Sequence, residues 1–167
     1  VLNFLSNPRH ARFWSQPEKP ERRPHFIRSI LNSVGSWNSY HCWRHLGSWP
    51  SKPAGGRLND DIEYAIFRGI GLPESLTDVV EFKLSEITTL VTLVFATTIF
   101  GWSVGEDLYL VPDTANAILQ TDHHGVIHAS FRDETDLKQS IKQMKEQGFE
   151  LPDEIPDETF KRPSWKK

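Results

Sequence analysis

Apolar residues recur along this chain with the period of a helix in some segments and the period of a strand in others. Within residues 26–34, 59–69 and 134–147 they recur every three or four positions, as on a helix with one buried face. Residues 84–100 are apolar on most sides; their threonine and valine content would equally suit a strand, but their length favours a helix. The pattern therefore predicts four helices, and Asp133 is the expected N-cap of the one at 134–147.

Strand patterns follow in the second half of the chain. Residues 107–111 are alternating and β-branched, and the Pro-Asp pair after them forms a turn that removes a backbone donor from the sheet. Two further β-prone runs, 117–120 and 126–131, flank the tetrapeptide 122–125, whose glycine supplies a positive φ. We therefore expect a hairpin centred on the last three residues of that tetrapeptide.

Proline is concentrated near both ends of the chain. Residues 6–24 contain four prolines and clustered charges, which predicts that residues 1–24 form an extended arm lying on the domain. Residues 149–167 contain three prolines, so an extended proline-rich tail is expected there. The expected architecture is a single α+β domain over residues 1–167, with N-terminal helices, a small mainly antiparallel sheet and a C-terminal amphipathic helix.

Chain length and cysteine content narrow the class of protein. At 167 residues the chain can bury one core without disulfides or metal ions to support it. Cys42 is the only cysteine, so no intramolecular disulfide can form, and the N-terminus lacks the pattern of a secretion signal. The longest apolar run, residues 87–102, is shorter than the roughly twenty residues that span a bilayer. These features predict a cytoplasmic protein without a membrane span.

The net charge of −3 conceals two oppositely charged parts of the chain. Residues 1–57 hold nine Lys or Arg against two acidic residues, a net charge of +7, and the remainder holds ten against twenty, a net charge of −10. Such a split fits either a nucleic-acid-binding adaptor with a basic arm or an acidic half that meets a basic partner. Aromatic residues in the basic part could stack on bases, but tryptophans at that density are usually core, which argues against direct nucleic-acid binding.

Four potential metal ligands cluster in the predicted hairpin: Asp122, His123, His124 and His128. Side chains alternate between the two faces of a strand, so only His124 and His128 share a face, and no third ligand is marked elsewhere. We therefore expect a structural hairpin with no bound metal or other cofactor; a metal-dependent enzyme that uses the three histidines is an alternative. The sequence contains no nucleophile elbow or phosphate-binding loop, so no catalytic activity is expected.

Residues 100–165 combine Gly101-Trp102, the strand DLYLVPD, the hairpin QTDHHGVIH, an amphipathic helix and the ending LPDEIPDETFKRPSW. This combination resembles the immunity proteins that bacteria encode beside the toxins of contact-dependent growth inhibition and related Rhs-type systems. The resemblance is one of overall pattern, and the N-terminal hundred residues lie outside it. It implies a non-enzymatic cytosolic protein that binds one cognate toxin domain, commonly a nuclease, in a one-to-one complex and neutralises it.

Expected contacts with such a toxin follow from electrostatics. A nuclease holds phosphates on a basic surface, and an inhibitor can occupy that surface by presenting carboxylates. Aromatic side chains beside the carboxylates would anchor the interface. The expected toxin-binding residues, on the strands and loops of the sheet, are Glu106, Asp107, Asp113, Asp122, Trp102 and Tyr109.

Overall fold

The computed structural model describes residues 10–45, 49, 58–74, 76, 79–100, 107–122, 125–150 and 153–154 of the chain. Within these ranges the helices are α1 (Arg23–Ser33), α2 (Leu58–Gly69), α3 (Ile87–Phe100) and α4 (Glu134–Glu146). The strands are β1 (Ala11–Ser15), β2 (Ser39–Arg44), β3 (Val80–Lys83), β4 (Leu108–Pro112), β5 (Ala117–Thr121), β6 (Val126–Phe131) and β7 (Asp153–Glu154). Two short 3-10 helices, Pro20–Arg22 and Leu84–Glu86, precede α1 and α3.

The seven strands of the described residues form one sheet in the order β3-β2-β4-β5-β6-β1-β7. Every neighbouring pair is antiparallel. The middle strands β4, β5 and β6 are consecutive in the sequence and are joined by short turns, so their pairing is local. In contrast, β1 pairs with β6 and β2 pairs with β4 across long sequence separations. The sheet therefore joins the N-terminal half of the chain to the C-terminal half.

One face of the sheet, which we call the first face, packs against the helices. The buried core combines apolar strand residues of this face with apolar side chains from α1, α2, α3 and α4. Removal of this apolar surface from water is the main driving force for folding. The strand residues that enter the core are Trp14, Tyr40, Cys42, Phe82, Leu108, Leu110, Ala117, Leu119, Ile127, Ala129 and Phe131.

The predicted α+β class and single domain are confirmed. Helix α4 begins after Asp133, whose side chain accepts hydrogen bonds from two backbone N–H groups of the first turn, as an N-cap does. The hairpin of β5 and β6 is also confirmed, with Gly125 at a φ of +76°. His123 and His124 in its turn lie outside the described residues.

Helix α3 shows that the segment at 84–100, ambiguous in its pattern, is helical over 14 residues. It is the most apolar of the described helices and packs against both α1 and α2. Leu90, Leu93 and Val94 on this helix are buried in the core. Neither α3 nor any other described helix has the length and apolar content needed to cross a membrane.

The expectation of an extended arm over residues 1–24 is wrong for its described part. Strand β1 pairs with β6 through five residues, and Trp14 is only 2% exposed in the core. The prolines do not prevent this pairing, because Pro17 and Pro20 follow the strand. Pro24 lies in the first turn of α1, where a backbone N–H has no helical partner. Residues 11–15 are therefore an integral part of the sheet.

The predicted proline-rich tail over residues 149–167 is described only at Phe149, Glu150 and the short strand β7. The Phe149 ring packs edge-on against Phe26, with ring centroids 5.2 Å apart. Strand β7 pairs with β1 at the edge of the sheet. The other residues of the predicted tail lie outside the described part of the chain.

A buried ion pair joins β2 to α2. Arg44 Nη1 lies 3.2 Å from Glu63 Oε2, and the two side chains are 1% and 6% exposed. Arg44 occupies a core-facing position at the end of β2, with its guanidinium 5.8 Å from the centroid of the Phe67 ring. A buried charge is tolerated when it is paired, so Glu63 allows an arginine to occupy this position.

Removal of one member of this pair should destabilise the protein more than removal of both. Glu63→Leu leaves the Arg44 charge buried without its carboxylate partner, which costs about 3–5 kcal/mol in comparable pairs. The double substitution of Glu63→Leu with Arg44→Met should recover most of that loss, because it leaves no buried charge. Urea denaturation of the three proteins measures both effects. A double variant no more stable than Glu63→Leu would contradict this account of the ion pair.

Candidate functional site

The second face of the sheet carries a row of five side chains, one from each of five neighbouring strands. The strand registers pair Trp43 with Tyr109, Tyr109 with Gln120, Gln120 with His128, and His128 with Phe13. Paired residues of antiparallel strands project from the same face, so these side chains lie side by side. Each of them is partly exposed, and none belongs to the buried core. We call these five residues the outer row.

Aromatic rings occupy both ends of the outer row. Trp43 and Tyr109 stack almost in parallel, with ring centroids 5.6 Å apart and an angle of 11° between the ring planes. Phe13 and His128 at the other end have centroids 6.0 Å apart and are tilted by 41°. Trp and Tyr often dominate the binding energy of protein interfaces, because they bring a large and rigid contact area. The outer row therefore has the composition of an interaction surface.

Two carboxylates form hydrogen bonds with the polar residues of the outer row. Asp107 Oδ2 accepts a hydrogen bond from Gln120 Nε2 at 3.2 Å. Asp122 Oδ2 lies 3.0 Å from His128 Nε2, and its Oδ1 accepts a hydrogen bond from the backbone N–H of Val126 at 2.9 Å. Asp107 is 4% exposed and the Asp122 side chain 15%. Both carboxylates therefore act mainly by orienting their neighbours and by adding negative potential to this face.

Tyr109 presents a hydroxyl group at the Trp43 end of the outer row. Its oxygen lies 3.3 Å from His45 Nδ1. Partial burial, with a smaller contribution from the nearby Asp107 charge, raises the pKa of Tyr109 above its ordinary value of 10.0. The phenol is therefore protonated at neutral pH and can donate a hydrogen bond to His45 or to a partner.

The structure brings three of the six predicted toxin-binding residues to the second face. Tyr109 lies in the outer row, and Asp107 and Asp122 lie beside it, linked to it through their hydrogen bonds. Asp107 is buried, whereas the Asp122 side chain is partly exposed. Glu106 and Trp102, which are also predicted contacts, lie outside the described residues.

Asp113, another predicted contact, lies away from the outer row at the end of β4. Its carboxylate accepts hydrogen bonds from the backbone N–H and the side-chain Nδ2 of Asn38, both at 3.0 Å. These hydrogen bonds hold the pKa of Asp113 below its ordinary value of 3.8. Asp113 therefore ties the turn after β4 to the residues before β2.

The alternative of a metal-dependent enzyme uses three histidines that alternation predicts on both faces of the hairpin. Asp122 and His128 form a hydrogen-bonded pair. Among the residues that the structure describes, no group of three or more His, Cys, Asp or Glu side chains could hold a metal ion. His123 and His124 lie outside those residues, and the metal-dependent alternative depends on them.

Sequence reasoning did not find three members of the outer row, namely Trp43, Gln120 and Phe13. Trp43 lies on β2, which the hydrophobic pattern does not predict because Arg44 places a charge at a core position. Phe13 lies on β1, in a segment whose prolines favour an extended arm. The sequence feature that could have predicted β2 is the alternation of apolar and polar residues at its centre.

The outer row depends on the pairing of strands from both halves of the chain, so only the fold assembles it. No protein-family model, curated protein or solved structure matches this chain.

The contribution of Asp113 to stability should depend on pH. Because its pKa is lowered in the folded protein, ionised Asp113 stabilises the fold above its unfolded pKa, and this stabilisation is lost as the pH falls through the folded pKa. Asp113→Asn should therefore be less stable than the unmodified protein at pH 7, and the difference should shrink below about pH 4. Thermal unfolding of both proteins across this pH range measures the difference in stability.

A control variant tests whether Asn38 causes this pH dependence. Asn38→Ala removes the side-chain donor but keeps the backbone donor, so it should weaken the pH dependence that Asp113 contributes without abolishing it. An Asp113→Asn variant whose stability deficit stays the same from pH 7 to pH 3 would show that the carboxylate charge plays no part.

Proposed function

We propose that this protein is an inhibitor of the immunity type, which binds one toxin domain in a one-to-one complex and neutralises it in the cytosol. The observation that carries the proposal is the outer row, a line of aromatic and polar side chains on one sheet face. The resemblance of residues 100–165 to immunity proteins supplies the class of partner, a toxin domain that is commonly a nuclease. The protein acts by binding, with no catalysis and no cofactor.

The outer row suits a protein partner because its shape is set before binding. Its side chains stand on hydrogen-bonded strands, and the Trp43–Tyr109 stack restricts rotation at one end. Asp107 and Asp122 restrict Gln120 and His128 in the same way. A rigid surface loses little conformational entropy on binding, so more of the contact energy appears as affinity.

The length of the outer row agrees with the size of a protein interface. Five neighbouring strands at a spacing of about 4.8 Å give a row roughly 20 Å long. A standard interface buries about 800 Å² on each partner, a patch of comparable width. Trp43 and Tyr109 are the expected hot spots, because they combine the largest aromatic area with a protonated hydroxyl group.

Charge favours a basic partner for this surface. Residues 58–167 hold twenty acidic residues against ten Lys or Arg. On the second face, Glu81 and Lys83 of β3 are both exposed and lie opposite His41 and Ser39 of β2 in the strand register, so their charges offset each other. The carboxylates of Asp107 and Asp122 beside the outer row leave an excess of negative charge among these residues of the described chain. A nuclease domain needs a basic surface to hold phosphates, so this acidic potential would speed association and orient the two proteins.

The nucleic-acid-binding alternative receives less support from the structure. It needs the aromatic residues of the N-terminal part to be available for stacking on bases. Five of them are buried in the core: Trp14, Phe26, Trp37, Tyr40 and Trp49. The other two, Phe13 and Trp43, are partly exposed but belong to opposite ends of the outer row. The tryptophan-rich segment is therefore mainly a source of core residues.

Truncation of the aromatic stack should weaken the toxin complex without unfolding the inhibitor. We expect Trp43→Ala or Tyr109→Ala to raise the Kd for the toxin domain encoded beside this protein about 30-fold or more, as for other interface hot spots. Tyr64→Ala on α2 is the matched control and should leave the Kd unchanged. Calorimetric titration gives the affinities, and growth rescue on co-expression gives the biological readout.

The two parts of the proposal fail in different ways. If the unmodified protein neither binds that toxin domain nor rescues growth, the immunity function is wrong. If it binds and rescues but the Trp43 and Tyr109 variants behave like Tyr64→Ala, the function stands and the outer row is the wrong surface.

Reversal of charge on the second face should slow association with a basic toxin domain. Glu81→Lys removes an exposed carboxylate from this face and adds a cation, so the association rate should fall about tenfold at low salt and much less at high salt. Glu146→Lys on α4 is the control with the same change of net charge. Stopped-flow experiments at two salt concentrations measure the association rate of each variant. If both variants associate equally slowly, the net charge of the protein, and not the charge of this face, controls association.

A further inference from the structure

Strand β3 is an edge of the sheet, because β2 pairs with one side of it and no strand of the described residues pairs with the other. The direction of its backbone groups is set by the Leu84 N–H, which donates to the Asn38 carbonyl oxygen at 2.8 Å. These groups alternate in direction along an antiparallel strand, so those of Phe82 also point to β2. The N–H and C=O groups of Glu81 and Lys83 therefore point away from the sheet.

One of these four outward groups already has a partner within its own chain. Glu86 Oε2 accepts a hydrogen bond from the backbone N–H of Lys83 at 2.9 Å. The other three, the Glu81 N–H, the Glu81 C=O and the Lys83 C=O, have no hydrogen-bond partner in the described part of the chain. Unpaired groups along an edge are a template for pairing with another strand. The edge of β3 can therefore accept a strand, and Glu86 competes with that strand for one donor.

The charged side chains of β3 are complementary to those of a second, antiparallel copy of β3. Glu81 and Lys83 are both exposed on the second face. When Phe82 of one copy lies opposite Phe82 of the other, each Glu81 lies directly opposite Lys83 of the second copy. Opposite charges in such positions stabilise a sheet, whereas like charges destabilise it. The neighbouring registers place Glu81 opposite Glu81 or Lys83 opposite Lys83, so charge selects the register centred on Phe82.

Apolar side chains at the ends of β3 favour the same register. Among the described residues, the exposed large apolar side chains are Val79 and Leu84, at 52% and 51%. The backbone of Lys83 is extended, with φ −75° and ψ 161°, so Leu84 projects to the same side as Phe82. In the register centred on Phe82, Leu84 lies opposite Val80 of the second copy, which is itself partly exposed. Pairing therefore removes apolar surface from water at two symmetric positions.

We propose that β3 pairs with β3 of a second copy of this chain to form a symmetric dimer. A two-fold axis passes between the two Phe82 residues, and each Glu81 exchanges two backbone hydrogen bonds with Lys83 of the second copy. The carboxylate of Glu86, which is exposed, turns to water and releases the Lys83 N–H.

The dimer has one continuous sheet, because each copy adds its strands to the edge of the other. A two-fold axis perpendicular to the sheet keeps the second faces of both copies on the same side. Both outer rows are therefore presented on one side of the dimer, and each copy can still bind its own toxin domain. The dimer is inferred from β3 alone and does not depend on the proposed function.

Sedimentation equilibrium of the full chain at several protein concentrations tests this interface. The dimer should have a Kd of about 10–100 μM, because an edge contact of this length is smaller than a standard protein interface. Lys83→Glu places two carboxylates opposite each other at both symmetric positions, so it should raise the Kd about tenfold or more. Lys145→Glu, at an exposed position on α4, makes the same change of net charge and should leave the Kd unchanged.

Two further variants test the register and the role of Glu86. Glu81→Lys combined with Lys83→Glu restores opposite charges across the axis, so its Kd should return to within about threefold of the unmodified value. Glu86→Ala removes the acceptor that competes for the Lys83 N–H, so it should strengthen the dimer about threefold or more. Circular dichroism melts confirm that each variant is folded.

Four outcomes would overturn the proposal. The unmodified chain could remain monomeric at 1 mM, or Lys145→Glu could weaken the dimer as much as Lys83→Glu does. The double variant could be as weak as Lys83→Glu alone, which would exclude the register centred on Phe82. Glu86→Ala could weaken the dimer, which would show that the Lys83 N–H does not pair with the second copy. Toxin binding measured far below the dimer Kd concerns the monomer, so its failure is distinguishable from all four.

Discussion

Every helix of the described chain contributes to a core on the first face of the sheet, and the position of the outer row depends on this packing. Because successive residues of a strand point to opposite faces, burial of one face determines which residues are left for the other. Leu108 and Leu110 of β4 are in the core, so Tyr109 between them is on the second face. The same alternation sets Phe13 against Trp14 on β1 and Trp43 against Cys42 on β2. The outer row is thus a consequence of how the core is packed.

The core itself is not purely apolar, and its polar groups join particular elements. The Arg44–Glu63 pair connects β2 to α2. The hydroxyl oxygens of Ser33 and Ser140 lie 2.7 Å apart between α1 and α4, where both serines are buried. Such contacts add little net free energy when paired but cost much when one partner is lost, so they oppose alternative packings of the helices on the sheet. A sheet whose helices are held in this way keeps its second face fixed in shape.

The sequence alone determined the elements whose signals are local. The helical periods, the Asp133 cap and the Gly125 turn act within a few residues, so α4 and the β5–β6 hairpin are predictable without knowledge of the fold. It also indicated the α+β class.

Only the tertiary structure decided the rest, because the deciding interactions join residues far apart in the sequence. Strand β1 forms despite nearby prolines because β6 supplies its hydrogen-bonding partner. Strand β2 accommodates Arg44 because Glu63 on a distant helix neutralises it. The outer row takes one residue from each of five strands. It has no spacing that a linear pattern could record, since it exists only once the pairing of those strands has brought its residues together.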